Sequence, residues 1–187
     1  MTRMEVPRLR MLFDQLNGHR PLDRTEALHR DAMLELCLSP APFSSAQFDP
    51  GHFTASALVI STTVHQVLLI QHPTLGRWLQ PGGHIDPDDA TVLAAAIREV
   101  REETGFQPEF DSPLADVDVH RIPARGHRAA HDHYDVRFVG RVAGTPPIAG
   151  AEGIVGEWFE LAEAVQRASD SGLVRLLTKA AQGGLLR

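Results

Sequence analysis

Six consecutive residues, Arg98 to Glu103, hold two arginines and three glutamates inside the stretch AAAIREVREETGF. At 100° per residue of helix, Glu99, Glu102 and Glu103 share a sector about 100° wide, beside the apolar stripe rather than opposite it. Glu99 and Glu103 form an i,i+4 pair of like charge, which costs about 0.2–0.5 kcal/mol even on an exposed face. Acids near a helix's carboxyl end also oppose its dipole, by about 0.3–1 kcal/mol each. Two accounts fit. A solvated face is compensated by Arg98 and Arg101, or a hard divalent cation sits between the carboxylates and turns their repulsion into binding energy. The preceding PGGH, residues 81–84, favours the cation, because paired glycines let a backbone carbonyl approach closely.

The elements that must carry these groups follow from periodicity. A helix over about 90–104 is predicted by Leu93, Ala96, Ile97 and Val100, with Asp88 or Asp89 capping its amino end and Gly105 closing its carboxyl end in the left-handed conformation. Before it, RWLQPGGHIDPDD reads as a turn-rich loop. TASALVIST and HQVLLIQH read as neighbouring strands, and ADVDVHRI, HYDVRFVGRV and GEWFEL as later ones. Helices are expected near 161–169 and 172–182. Strands and helices mix without regular alternation, which predicts α+β rather than a doubly wound parallel sheet.

Two amphipathic helices near 5–16 and 24–37, parted by NGHRPLD, precede this unit. The expected division is a helical extension over 1–40, a linker over 41–52 that wraps the next unit, and a domain over 53–187. The extension packs on the sheet or forms a homodimer contact. A chain of 187 residues with 43% hydrophobic residues suffices for one core. Its net charge of −6 gives no general attraction to nucleic acid or an anionic membrane, so a small molecule is the expected partner. The lone Cys37 excludes an internal disulfide and reads as a buried thiol in a reducing compartment. Charge throughout MTRMEVPRLRMLFDQL leaves no apolar stretch for a secretory signal, and no run approaches a membrane span; a cytoplasmic location is the expectation.

Ten histidines invite a second chemistry. His131 and His133 point to one face of a strand, with His84, His120 and Asp135 as candidate neighbours. They bind zinc, line a substrate cleft where imidazole bonds phosphate or sugar, or are ordinary surface residues. Trp78 and Tyr134 either stack on a base or sugar or belong to the core and rim. The loop RIPARGHRAAHDH, residues 121–133, is basic and histidine-rich, and either contacts substrate or is solvated.

REVREETGF, from Arg98 to Phe106, resembles the second half of the Nudix hydrolase box without a mismatch; a chance match has a probability on the order of 10⁻⁷ per window. The first half departs from the box. Gly83 to Arg98 is one residue too long, and Asp89 stands where a glutamate is expected, as a brace for Arg98 rather than a metal ligand. The resemblance implies an α/β/α sandwich around a mixed sheet. It also implies hydrolysis of the diphosphate linkage of a nucleoside diphosphate joined to another moiety, with Mg²⁺ or Mn²⁺; a non-catalytic nucleotide-sensing module on the same fold is the alternative. By position, Glu99, Glu102, Glu103 and the Gly83 carbonyl would be metal ligands, and Arg98 would fix a glutamate through a bidentate pair. His84, Trp78, His131, His133 and Tyr134 are the candidate substrate contacts. The water-activating base falls in GAEGIVGEW: Glu152, with Glu103 or Glu157 as alternatives.

Overall fold

The structure, a computed structural model, describes residues 5–71, 76–110, 114–126, 128–150, 153–168 and 170–182. Two helices, α1 (Glu5–Gly18) and α2 (Arg24–Leu36), lead into strands β1 (Gly51–Ser61), β2 (Gln66–Gln71), β3 (Trp78–Leu79) and β4 (Gly82–His84). Helix α3 (Val92–Thr104) follows, then β5 (Asp116–Ile122), β6 (His131–Val142), β7 (Val155–Glu160), α4 (Leu161–Arg167) and α5 (Ser171–Gln182). The sheet is mixed, in the order β3-β2-β1-β6-β5, with β4 pairing β1 and β7 pairing β2. Strand β1 runs parallel to β6 along its whole length, Gly51 opposite Asp132 through Ser61 opposite Val142.

Alternation along β1 sorts its side chains between two cores. Phe53, Ala55, Ala57 and Val59 turn to one side, where they meet Val92, Ala95, Ala96 and Val100 of α3 and Leu12, Leu16, Met33 and Leu36 of α1 and α2. Leu58 and Ile60 turn to the other and pack on Leu173, Leu176 and Leu177 of α5. This is the α/β/α sandwich that the box resemblance implies. The leading helices share the α3-side core, and the backbone N–H of Val119 on edge strand β5 donates to His29 of α2. An otherwise open sheet edge is thereby covered.

Residues 39–50 lie against the start of β1. The Gln47 side chain donates to Ser39 Oγ and to the Gly51 carbonyl, and Phe43 packs on Phe53 with ring centroids 5.6 Å apart. Two expectations are corrected. The segment read wholly as loop contains β3 and β4, short strands whose residues hydrogen-bond to β2 and β1 rather than to one another, so no local periodicity announces them. Helix α3 is capped by Thr91, whose hydroxyl accepts from the Ala94 N–H at 2.9 Å, not by Asp88 or Asp89. Gly105 closes α3 as expected, with φ of 81°.

Candidate active site: an acidic helix face against a glycine strand

The apolar face of α3 buries into the sheet, and this leaves Glu99, Glu102 and Glu103 along its margin, next to β4. Strand β4 pairs with β1 through Thr54–His84, Ala55–Gly83 and Ser56–Gly82, so its position is fixed from the sheet's centre. The two glycines are there because nothing larger fits. A Cβ on Gly82 would lie 2.3 Å from that of Ser56, and one on Gly83 would lie 2.7–2.8 Å from the Glu99 carboxylate. The Gly82 N–H donates to Glu103 Oε2 at 2.9 Å.

Arg98 ties this corner together. It makes two bonds to Asp89, Nε to Oδ1 at 3.2 Å and Nη2 to Oδ2 at 3.0 Å, and donates to the His84 carbonyl at 2.8 Å. Its Nη1 donates to Glu99 at 2.8 Å and Glu102 at 3.3 Å. Asp89 therefore braces Arg98, as expected. The bidentate partner is Asp89, however, and not a glutamate, because Asp89 approaches the guanidinium edge-on while the glutamates share one nitrogen. The loop with the extra residue is held from outside: buried Arg8 of α1 donates to the carbonyls of Asp86 and Asp89 at 2.8 and 2.7 Å. Arg8 lay unremarked in the sequence, since nothing local connects it to residues about eighty positions away.

The electrostatics match a set of acids awaiting a countercharge. Burial, then repulsion from Glu99 and Glu102, pushes the Glu103 carboxyl up to about 7 against the pull of the Gly82 N–H. Burial also raises Glu99, opposed by Arg98. Glu102 is more exposed, and the three carboxylates do not converge to within 4.8 Å of one another. Hard oxygen donors from one helical turn beside a backbone carbonyl suit Mg²⁺ or Mn²⁺ in kind.

The other candidates distribute as follows. His84 has its ring on the α5 side of the sheet, 5.2 Å from that of His52 and 5.4 Å from that of His133, and burial pushes it down to about 4. His131 and His133 do share a face, but His131 is only 3% exposed and turns toward His52 and Phe48, so it is no cleft-lining residue. Asp135 bonds Thr54, Ser56, Gln80 and Arg137. Tyr134 takes the opposite face and packs at 8% exposure against Phe53, a core place without a free ring face for stacking. Half-buried Trp78 meets Phe159 edge-on at 5.0 Å. Glu157 is exposed on β7, and Glu152 lies outside the described residues. A cavity of about 780 Å³ between the α1–α2 turn and α5, lined by His19, Arg20, Leu22 and Lys179 among others, contains none of these candidates.

His52, Thr54 and Ser56 were not singled out from sequence. Their alternation with Phe53, Ala55 and Ala57 is the signal that one face of β1 turns polar at this end. On the same face a buried ionic network joins Asp116, Asp118, Asp135 and Arg137 to Arg175 and Lys179 of α5, and Lys179 to Glu26 of α2.

A mixed sheet thus lies between helical layers, with a glycine strand facing three glutamates, two of them bonded by Arg98. The chain belongs to the NUDIX family: the NUDIX domain model matches residues 51–178. It is similar to the "Probable DHNTP pyrophosphohydrolase" of Lactococcus lactis, 35% identical over 88 residues that make up 46% of this chain and 51% of that one. It is also similar to "Nucleoside diphosphate-linked moiety X motif 6" of Xenopus laevis, 28% identical over 139 residues, 73% of this chain and 63% of that one. The chain thus spans between half and two thirds of the length of these relatives. Among solved structures, the NUDIX domain of Shewanella oneidensis NrtR complexed with ADP ribose shares the fold, with a TM-score of 0.55 and 22% identity over 82% of this chain and 97% of that one.

Proposed function

We propose that the protein is a metal-dependent hydrolase that cleaves the phosphoanhydride linkage of a nucleoside diphosphate joined to another moiety. The observation that carries this reading is the complete REVREETGF turn, with Glu99 and Glu103 set against Gly83 and Gly82 and Arg98 locked by Asp89. Glu99, Glu102 and Glu103, with the Gly83 carbonyl, would hold Mg²⁺ or Mn²⁺. Bound there, such ions would supply Lewis acidity toward the diphosphate and lower the pKa of a water. Everything else is done by the chain. Arg98 holds two of the acids in register, and Asp89 keeps Arg98 from swinging away.

Glu152 is assigned as the base that takes the water's proton. In support, Gly150, two residues earlier, lies so close to α3 that a Cβ there would be 2.0 Å from the Glu103 carbonyl oxygen. Glu103, held beside β4 by the Gly82 N–H, is the first alternative. Exposed Glu157 is the second. His84 and Trp78, both on the α5 side, are assigned to the substrate's remaining moiety, and half-buried His133 to its phosphates only where it is metal-free. A homodimer is assigned to the extension, on which Val6, Met11, Phe13 and Leu28 stand exposed. A cytoplasmic location fits buried, free Cys37, whose thiol burial pushes up to about 11, and no helix among the described residues is long and apolar enough to cross a membrane.

The test is a panel of nucleoside diphosphate sugars, ADP-ribose and nucleoside triphosphates with Mg²⁺ or Mn²⁺, scored for release of phosphate products. Turnover that disappears in Glu103→Gln supports hydrolysis. Tight nucleotide binding without any turnover in the wild type refutes it and leaves a sensing module.

A further inference from the structure

We propose that His52, His131 and His133 form a binding site for one divalent transition-metal ion of the zinc class, separate from the glutamates of α3 and independent of the hydrolase reading. The β1–β6 pairing sets His52 directly opposite His133, and alternation puts His131 on the same face. One ring nitrogen from each of the three lies within 4.8 Å of the others.

For His52 and His131 the hydrogen bonds fix which nitrogen is free. His52 Nδ1 lies 3.0 Å from the Gln47 carbonyl oxygen and His131 Nδ1 2.8 Å from that of Ala129. A carbonyl only accepts, so each Nδ1 carries the proton and each Nε2 presents a lone pair. This pairing of a ring N–H with a backbone carbonyl is the outer support that orients metal-binding histidines. His131 Nε2 and His133 Nε2 are 3.3 Å apart. A tetrahedral zinc ion with bonds of about 2.0–2.1 Å has ligand-to-ligand edges of about 3.3–3.4 Å. One edge of the tetrahedron is thus already in place, and a nitrogen of the third ring lies within 4.8 Å of the other two ligand atoms.

Hydrogen bonding alone leaves the cluster incomplete. His133 can donate to His131 Nε2, but His52 Nε2 is fully buried and has no hydrogen-bond partner among the described residues. A cation facing all three lone pairs removes that deficit. Phe48, 5.0 Å from the His131 ring, gives one side an apolar wall. Imidazole nitrogen selects zinc, nickel, copper or cobalt over the oxygen-seeking Mg²⁺ and Mn²⁺, so the two sites sort different ions. Three protein ligands leave the fourth tetrahedral position to water. Because Gln47 belongs to the wrapping segment, the ion would also pin that segment to β1 and β6 through His52.

The experiment uses tag-free full-length protein stripped with a chelator. It is titrated with Co²⁺, read by visible absorption, and with Zn²⁺ in competition with a chromophoric chelator. The expected result is the intense absorption of tetrahedral Co²⁺ at one equivalent per chain, and Zn²⁺ affinity lowered at least about a hundredfold in His52→Ala and His133→Asn. Glu163→Gln, on the exposed face of α4 and outside both sites, should bind Zn²⁺ as the wild type does. Circular dichroism checks each fold, and half-buried His133→Asn carries the test should His52→Ala not fold. A wild type without the tetrahedral spectrum, or equal Zn²⁺ affinity in folded His133→Asn, overturns the proposal. Nucleotide turnover is measured separately, so either reading can fail alone.

Discussion

Replacing Glu103 by Gln should stabilise the metal-free protein at alkaline pH while destroying its catalytic use. The folded protein raises this carboxyl from 4.5 to about 7, chiefly by burial and then by repulsion from Glu99 and Glu102. The proton is therefore held more tightly in the folded than in the unfolded chain. The group's contribution is most favourable below pH 4.5 and is lost as pH rises through about 7. At about 1.4 kcal/mol per tenfold change in proton affinity, the ionised side chain costs the metal-free fold about 3 kcal/mol above that point. A Gln keeps the acceptor for the Gly82 N–H without the charge. In chelator at pH 8, Glu103→Gln should melt about 6–12 °C above the wild type, taking about 2–4 °C per kcal/mol for a chain of this size. At pH 5 the two should nearly coincide. Saturating Mn²⁺ should raise the wild type and narrow the gap, and the variant's turnover should fall at least about a hundredfold for want of a metal-binding charge. Thermal scans across pH with and without chelator make the comparison. Equal melting at pH 8, or a less stable variant there, refutes the account of a carboxylate kept at a cost for a cation.

Gly83→Ala puts a methyl 2.7 Å from the Glu99 carboxylate, so metal-supported turnover should drop at least about tenfold while circular dichroism stays native. Arg8→Ala removes both bonds to the Asp86–Asp89 loop and the guanidinium 4.3 Å over Phe43, and should lower turnover severalfold and quicken backbone amide exchange over 85–91 without touching α3 itself. Unaltered exchange there would show that α1 does not hold the loop. Arg137→Met leaves Asp116, Asp118 and Asp135 short of their shared cation in the interior, and urea unfolding at pH 7 should show a loss of about 3–5 kcal/mol.

The acidic turn was legible because its message is local. Helical spacing, Gly105 and the box residues lie within one stretch of chain, and a helix forms its hydrogen bonds within four residues. The β-branched, apolar runs of β1, β2, β5, β6 and β7 were legible for the same reason, and so was the partnership of Asp89 with Arg98 across one loop.

What the tertiary structure decided is whatever depends on sheet register. His131 and His133 are visible as a pair on one strand, but only the parallel alignment of β1 with β6 brings His52 to them across about eighty residues. The same alignment turned Tyr134 into the core, and the antiparallel pairing of β4 with β1 set Gly82 and Gly83 beside Glu103 and Glu99. A one-residue slip in that pairing would exchange every side chain between the two faces. Sequence periodicity records that a strand has two faces; the packing of α3 on one and α5 on the other selects which residues meet.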